Sequence, residues 1–187
     1  MNTIVFDTET TGLPLHPSVA LTKQPRIIEF GAAILDENGE VVQKYNQLIN
    51  PGMQIESVIT KITGITQDDL VGKPFFSEIY PDIRALMEKC DIVVAHNLPF
   101  DYQLTDFELR RMDIKDFPWP RIKICTVEEN RFQYGYRPKL TQLYEDVIGE
   151  KLHQTHRAID DVMALVEIIK EGGIHAALIA SAHRDQL

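Results

Sequence analysis

The chain has 187 residues, 44% hydrophobic and 25% charged, with a formal net charge of −9; this is room for one sizeable core and too little for two ordinary domains. No apolar stretch reaches membrane-span length, the N-terminus lacks the basic flank of a signal peptide, and two cysteines, Cys90 and Cys125, make no disulfide framework. The expectation is a cytoplasmic protein with no membrane partner, and the acidity disfavours one that coats nucleic acid while leaving room for a nuclease that grips only a strand end.

Taken in chain order, Thr3 to Phe6 is a short β-favouring run ending at Asp7, and Arg26 to Leu35 and Val41 to Ile49 are two further strands. Between those two, Asp36-Glu37-Asn38-Gly39 reads as a hairpin turn. Thr66 is placed to cap a helix start, and Phe75 to Lys89 is an amphipathic helix with Ile79, Ile83, Leu86 and Met87 on one face. Ile92 to Ala95 is all apolar and suits a buried central strand, followed by a helix over Tyr102 to Met112. Pro118-Trp119-Pro120 breaks the chain before a short strand near Arg121 to Ile124. A short helix over Thr141 to Ile148 stops at Gly149, and a long final helix begins from His156 onward and stops at Gly172-Gly173. Strands and helices in this order give a mixed α/β layer fold that opens with an antiparallel meander.

Asp7 and Glu9 are two apart on the first strand, so both side chains point to one face and can hold a divalent cation between them. With 28 acidic residues in the chain, about four such pairs are expected by chance. What sets this one apart is its place, where a buried strand, Ile4-Val5-Phe6, meets the turn Thr10-Thr11-Gly12. Asp101 follows His96, Asn97 and Phe100 beyond the carboxyl end of the Ile92 to Ala95 strand, where sites on α/β sheets commonly lie. Taken singly, it also suits a helix N-terminus stabilised by the dipole. His156 and Asp161 are five apart and diverge on a continuous helix; they converge only if His156 sits in the loop or first turn and Asp161 within the helix. Ala158 between them permits close approach to another segment, while Asp160 turns about 100° away toward solvent.

The motifs FDTETTGL, AHNLPFD and HRAIDD, in this order and spacing, resemble those of the DEDDh branch of the DnaQ-like 3′–5′ exonucleases, the superfamily that includes the proofreading epsilon subunit of bacterial DNA polymerase III. The resemblance runs from about Thr3 to Lys170, and RIIEFGAAI and ITGIT are similar to intervening family segments. It implies an α/β, ribonuclease H-like fold, a five-stranded mixed sheet flanked by helices. It also implies a single exonuclease domain over residues 1–187, with a core of about 3–170 and a short C-terminal extension, 171–187, whose apolar stretch Ile174 to Ala182 would be a last helix.

Carried over residue by residue, the resemblance makes Asp7, Glu9, Asp101 and Asp161 the ligands of two magnesium or manganese ions and His156 the general base. Thr10 and Leu13 would meet the terminal nucleotide, Ile62, Thr63 and Phe100 would complete its pocket, and Asn97 would contact substrate or order the site. Around Ile124-Cys125-Thr126 many relatives carry an aspartate where this chain has Cys125, a position outside the metal set. The implied activity is removal of nucleoside 5′-monophosphates from the 3′ ends of single strands. DTETTGL leans toward DNA over RNA, and the partners would be single-stranded 3′ ends together with a polymerase or repair complex. Two other readings stand beside it. A silent nucleic-acid-binding domain on the same fold would have no need of all five metal and base residues. A hydrolase of small phosphate esters would have no need of apolar wedges at Leu13 and Phe100.

Overall fold

A computed structural model describes residues 1–173; the expected helix over Ile174 to Ala182 lies outside the described residues. Five strands, β1 (Thr3–Thr10), β2 (Ile27–Leu35), β3 (Val41–Leu48), β4 (Ile92–Ala95) and β5 (Ile122–Cys125), form one sheet in the order β3-β2-β1-β4-β5. β1 pairs antiparallel with β2 and β2 with β3, while β4 runs parallel to both β1 and β5. This is the mixed sheet that the resemblance implies. The β2–β3 hairpin turns where the sequence predicts: Asp36 Oδ1 accepts the Asn38 and Glu40 N–H groups, both at 2.9 Å, and Gly39 takes φ +83°.

Seven α-helices among the described residues follow or separate the strands: α1 (Ser57–Thr63), α2 (Gln67–Leu70), α3 (Phe76–Glu88), α4 (Leu98–Arg111), α5 (Thr126–Tyr134), α6 (Leu140–Ile148) and α7 (Ala158–Glu171). Thr66 caps α2 as expected, in a reciprocal box with Asp69. Among the described residues no helix is long and apolar enough to cross a membrane.

Side chains alternate across β1 with the period of two that a strand imposes. Ile4 and Phe6 join Phe30, Ala32 and Ile34 of β2 beneath α3 and α4, contributing to a core with Ile83, Met87, Leu104 and Phe107. Val5 points the other way, joining Ala33, Leu35, Leu143 of α6 and Val162, Leu165 and Ile169 of α7. Asp7 and Glu9 share Val5's parity, so they emerge on the face that α7 covers, and Thr8 emerges on the face of α4.

Several elements differ from the sequence expectation, among them the final helix, which starts at Ala158 and leaves His156 in the loop before it. β1 runs on to Thr10, past both acids, with a register shift between Glu9 and Thr10 that ends regular pairing. α4 begins at Leu98, placing Asp101 inside its first turn; Pro99 fits there because the first turn's N–H groups have no intrahelical partner. α1 and α5 are helices that the sequence pattern does not announce.

Candidate active site

The carboxyl end of β1 delivers Asp7 and Glu9, the start of α4 delivers Asp101, and the loop entering α7 with its first turn delivers His156 and Asp161. One ligand atom each from Glu9, His156 and Asp161 lie within 4.8 Å of one another, although the chain separates Glu9 from the other two by most of its length. His156 stands in the loop and Asp161 within the helix, the arrangement their spacing requires, and His156 adopts φ +52°. A left-handed backbone at a non-glycine residue persists only where its surroundings hold it. Asp160 is exposed and accepts a hydrogen bond from Thr155 Oγ1 at 2.6 Å.

Asp7 and Asp101 stand beside this triangle and are tied to it electrostatically. Burial raises the Asp7 carboxyl well above the ordinary aspartate value, and Asp101, Glu9, Asp161 and Glu29 add to the effect. Glu9 is pushed up to about 8 by burial and by Asp161, Glu29 and Asp101, with Arg157 acting against them. Burial lifts Asp101 to about 7 against the hydrogen bonds it accepts from Thr8. Burial raises Asp161 also, while a bond from Gln154 and the nearby His156 oppose the shift. Burial and mutual repulsion make it costly for all four carboxyls to ionise together without a cation. The four carboxyls are an all-oxygen donor set whose chemistry fits a hard divalent cation, and a bound cation would relieve the crowding.

Side chains outside the motif acids hold them in place. Thr8 donates to Asp101 Oδ1 twice, from its N–H at 3.0 Å and its hydroxyl at 2.7 Å, which fixes the α4 acid against β1 from the opposite face of the sheet. Gln154 Nε2 donates to Asp161 Oδ2 at 2.7 Å. Glu29, 0% exposed on β2 and directly opposite Glu9, accepts Arg157 Nε at 3.0 Å and Nη2 at 2.7 Å, the Ala158 N–H at 3.0 Å and Asn46 Nδ2 at 3.1 Å. This fork clamps the residue after His156 and the first residue of α7 onto the sheet. Gly31 completes the junction: a Cβ there would lie 2.6 Å from the Ala158 carbonyl carbon and 2.7 Å from the Ile159 nitrogen. The segment that Ala158 lets α7 approach is therefore β2. Sequence reasoning missed Glu29, Arg157, Gln154 and Gly31; a glycine inside an apolar strand is a signal of close backbone approach that could have found the last.

The remaining expected site residues fall in different surroundings. Leu13, 76% exposed, and the exposed Ile62 line one cleft of about 520 Å³ together with Gly12, Met53 and Val58. Thr10 is buried and its hydroxyl donates to the Gly12 carbonyl at 2.8 Å, shaping the turn that carries Leu13. Thr63 is buried, its hydroxyl donating to the Ile59 carbonyl at 3.0 Å and accepting the Ile65 N–H at 3.1 Å. Phe100 is half-buried and packs on the core under α3 and α4. Asn97 takes φ +70° at the N-cap of α4 and accepts Arg137 Nη2 at 2.6 Å. Cys125 ends β5 as a free thiol.

Residues 4–169 match a protein-family model described as exonuclease. The chain is 32% identical over 182 residues to the PolC-type DNA polymerase III of Thermotoga maritima, covering 91% of this chain and 12% of that protein. It is 32% identical over 167 residues to the DNA polymerase III subunit epsilon of Treponema pallidum, covering 87% of this chain and 72% of that protein. The chain thus spans about an eighth of the PolC-type polymerases it matches and most of an epsilon subunit. Among solved structures it resembles the nuclease domain of 3'hExo, a DEDDh family member bound to rAMP, with TM-score 0.71, 18% identity and coverage of 89% and 88%. It also resembles exonuclease X in complex with 5' overhanging duplex DNA, with TM-score 0.65, 23% identity and coverage of 91% and 93%. The shared fold is ribonuclease H-like, a five-stranded mixed sheet flanked by helices.

Proposed function

Since the chain belongs to the exonuclease family, we propose that it is a divalent-metal-dependent 3′–5′ exonuclease of the DEDDh type. It would remove nucleoside 5′-monophosphates from single-stranded nucleic acid, with DNA preferred. The observation that carries this reading is the meeting of Glu9, from β1, with His156 and Asp161, from α7 and its entry loop, within 4.8 Å. Asp7, Glu9, Asp101 and Asp161 would hold two magnesium or manganese ions, which when bound supply Lewis-acid stabilisation of phosphoryl charge and lower the pKa of the attacking water.

The chain's own residues supply the rest. A water oxygen attacks the terminal phosphorus, the bond to the 3′ oxygen of the preceding nucleotide breaks, and that oxygen takes a proton from solvent. A ring nitrogen of His156 receives the water's proton, a task suited to a side chain whose ordinary pKa is near neutrality. Thr8 and Gln154 orient Asp101 and Asp161 by the hydrogen bonds they donate. Leu13 and Ile62 wall the cleft where an unpaired terminal base gains stacking and burial. His156 and the four acids together favour an enzyme over an inactive binding domain on the same fold, which has no use for the complete set.

The polymerase relatives support DNA as substrate and a proofreading role, with a polymerase or repair complex as partner. The test is incubation with 5′-labelled single-stranded DNA and RNA oligomers, with and without magnesium. The expected result is a ladder shortening from the 3′ end, faster on DNA, present only with the metal and absent in Asp7→Asn. Cleavage that persists in chelator would overturn the metal assignment, and faster RNA shortening would reverse the substrate preference.

A further inference from the structure

Beside the acidic cluster lies a cavity of about 670 Å³ whose lining includes Asn97, Arg137, Lys139, Gln154 and His156. Its volume is within the roughly 300–1,000 Å³ typical of ligand sites. His156 belongs both to the carboxylate triangle and to this lining, so the two spaces adjoin. Their electrostatics are opposite. Among the described residues no aspartate or glutamate lines the cavity, and the charged ones that do are the cations Arg137 and Lys139, in a chain of net charge −9.

Arg137 is held over the cavity, its Nη2 donating to Asn97 Oδ1 at 2.6 Å and its Nη1 3.0 Å from Glu128 Oε1. A guanidinium has five N–H donors, so these partners leave others for an anion. Lys139 is exposed, and its ammonium has no hydrogen-bond or ion-pair partner among the described residues. It also occupies the N-cap of α6, where the positive helix end disfavours a cation unless an anion joins it. Val127, Leu140 and Leu152 give the same cavity an apolar wall.

We propose that this cavity is a subsite for the sugar–phosphate backbone of the nucleotides on the 5′ side of the scissile bond, with Arg137 and Lys139 binding its phosphates. The inference rests on the exonuclease reading above and extends it from the terminal nucleotide to the strand behind it. Phosphate binding of this kind fixes the position of a strand and carries no sequence information, which suits an enzyme that shortens any sequence. Arg137 also links the strand to Asn97, and through that residue to the start of the helix bearing Asp101.

The test compares kcat/KM on a dinucleotide, whose one phosphodiester is the scissile one, with that on a hexanucleotide across a salt series. Wild type should favour the hexanucleotide. In Lys139→Ala and Arg137→Gln that advantage should shrink by on the order of ten-fold each, the scale of one charge-assisted hydrogen bond. The slope of log kcat/KM against log salt should flatten by about 0.7 for each phosphate left without its cation. Lys139→Ala leaves the Arg137–Asn97 bond in place, so it separates phosphate binding from support of Asn97. Glu128→Gln, which frees the guanidinium, should keep or increase the advantage. Retention of the full length advantage and salt slope in both cation variants would overturn the subsite. So would relief of inhibition by nucleoside 5′-monophosphate with length dependence intact, since the cavity would then hold released product. Should wild type cleave no oligomer of either length, the exonuclease reading itself would fall, and the subsite with it.

Discussion

Glu9 carries the cost of burial among other carboxyls. In the unfolded chain its carboxyl titrates near 4.5, and in the folded protein near 8. Between those values the unfolded state binds fewer protons than the folded state, so stability falls as pH rises through that window. Asp7, Asp101 and Asp161 are shifted in the same direction and add to the trend. Thermal melts in chelator should therefore show Tm declining from about pH 5 to about pH 8, and magnesium or manganese should restore most of the loss at the alkaline end. A metal-free Tm that rises over this range would show that the carboxyls are not buried and crowded as described. His156→Ala should lower kcat by roughly 10² or more, the scale of a general base, with metal-induced stabilisation largely kept. A near wild-type rate would reduce His156 to a structural loop residue. The meeting of Glu9, His156 and Asp161 was legible because motif order and spacing resemble a family. The residues that orient them were not: Glu29 reads in sequence as one acid inside an apolar strand, and only the fold reveals Arg157 as its partner.

At the scale of elements, the junction between β2 and the start of α7 decides whether His156 and Asp161 reach Glu9. Arg157→Ala leaves the Glu29 carboxylate buried, retaining the Ala158 and Asn46 donors but no cation. Chemical denaturation should register a loss of about 2–3 kcal/mol, below the roughly 3–5 of a fully buried pair because Arg157 is partly exposed. Adding Glu29→Gln should recover part of it, a coupling that independent sites would not show. Gly31→Ala forces a methyl into the backbone of α7's first turn and should cost about 1–3 kcal/mol, with kcat falling further than stability alone explains. An activity close to wild type would mean that α7 can shift without moving Asp161.

The helices absent from the sequence reading have physical reasons. α1, SVITKIT, is rich in β-branched residues that favour strands, and only its packing makes it helical. α5 buries just Thr126 and Val127 and leaves Phe132 94% exposed, so it shows no apolar stripe to find. By contrast α3, with its five buried apolar residues on one face, was readable at nearly its full extent.

For the molecule as a whole, topology gathers what the chain scatters. β1 lies at the centre of the sheet, between its antiparallel partner β2 and its parallel partner β4. Its carboxyl end therefore receives α4 from one face and α7 from the other. Strand order and handedness of this sort are not encoded in hydrophobic periodicity; the alternation of strands and helices pointed to the layer class, and the family resemblance supplied the sheet. The central claim is that this gathered site hydrolyses strands from a free 3′ end. It is tested most directly by giving the protein, with magnesium, one sequence of single-stranded DNA in three forms: linear, linear with a blocked 3′ end, and closed into a circle. The linear strand should be converted stepwise to nucleoside 5′-monophosphates while the blocked and circular forms stay intact. Efficient cutting of the circle would contradict the account, because it would show an endonuclease that needs no strand end.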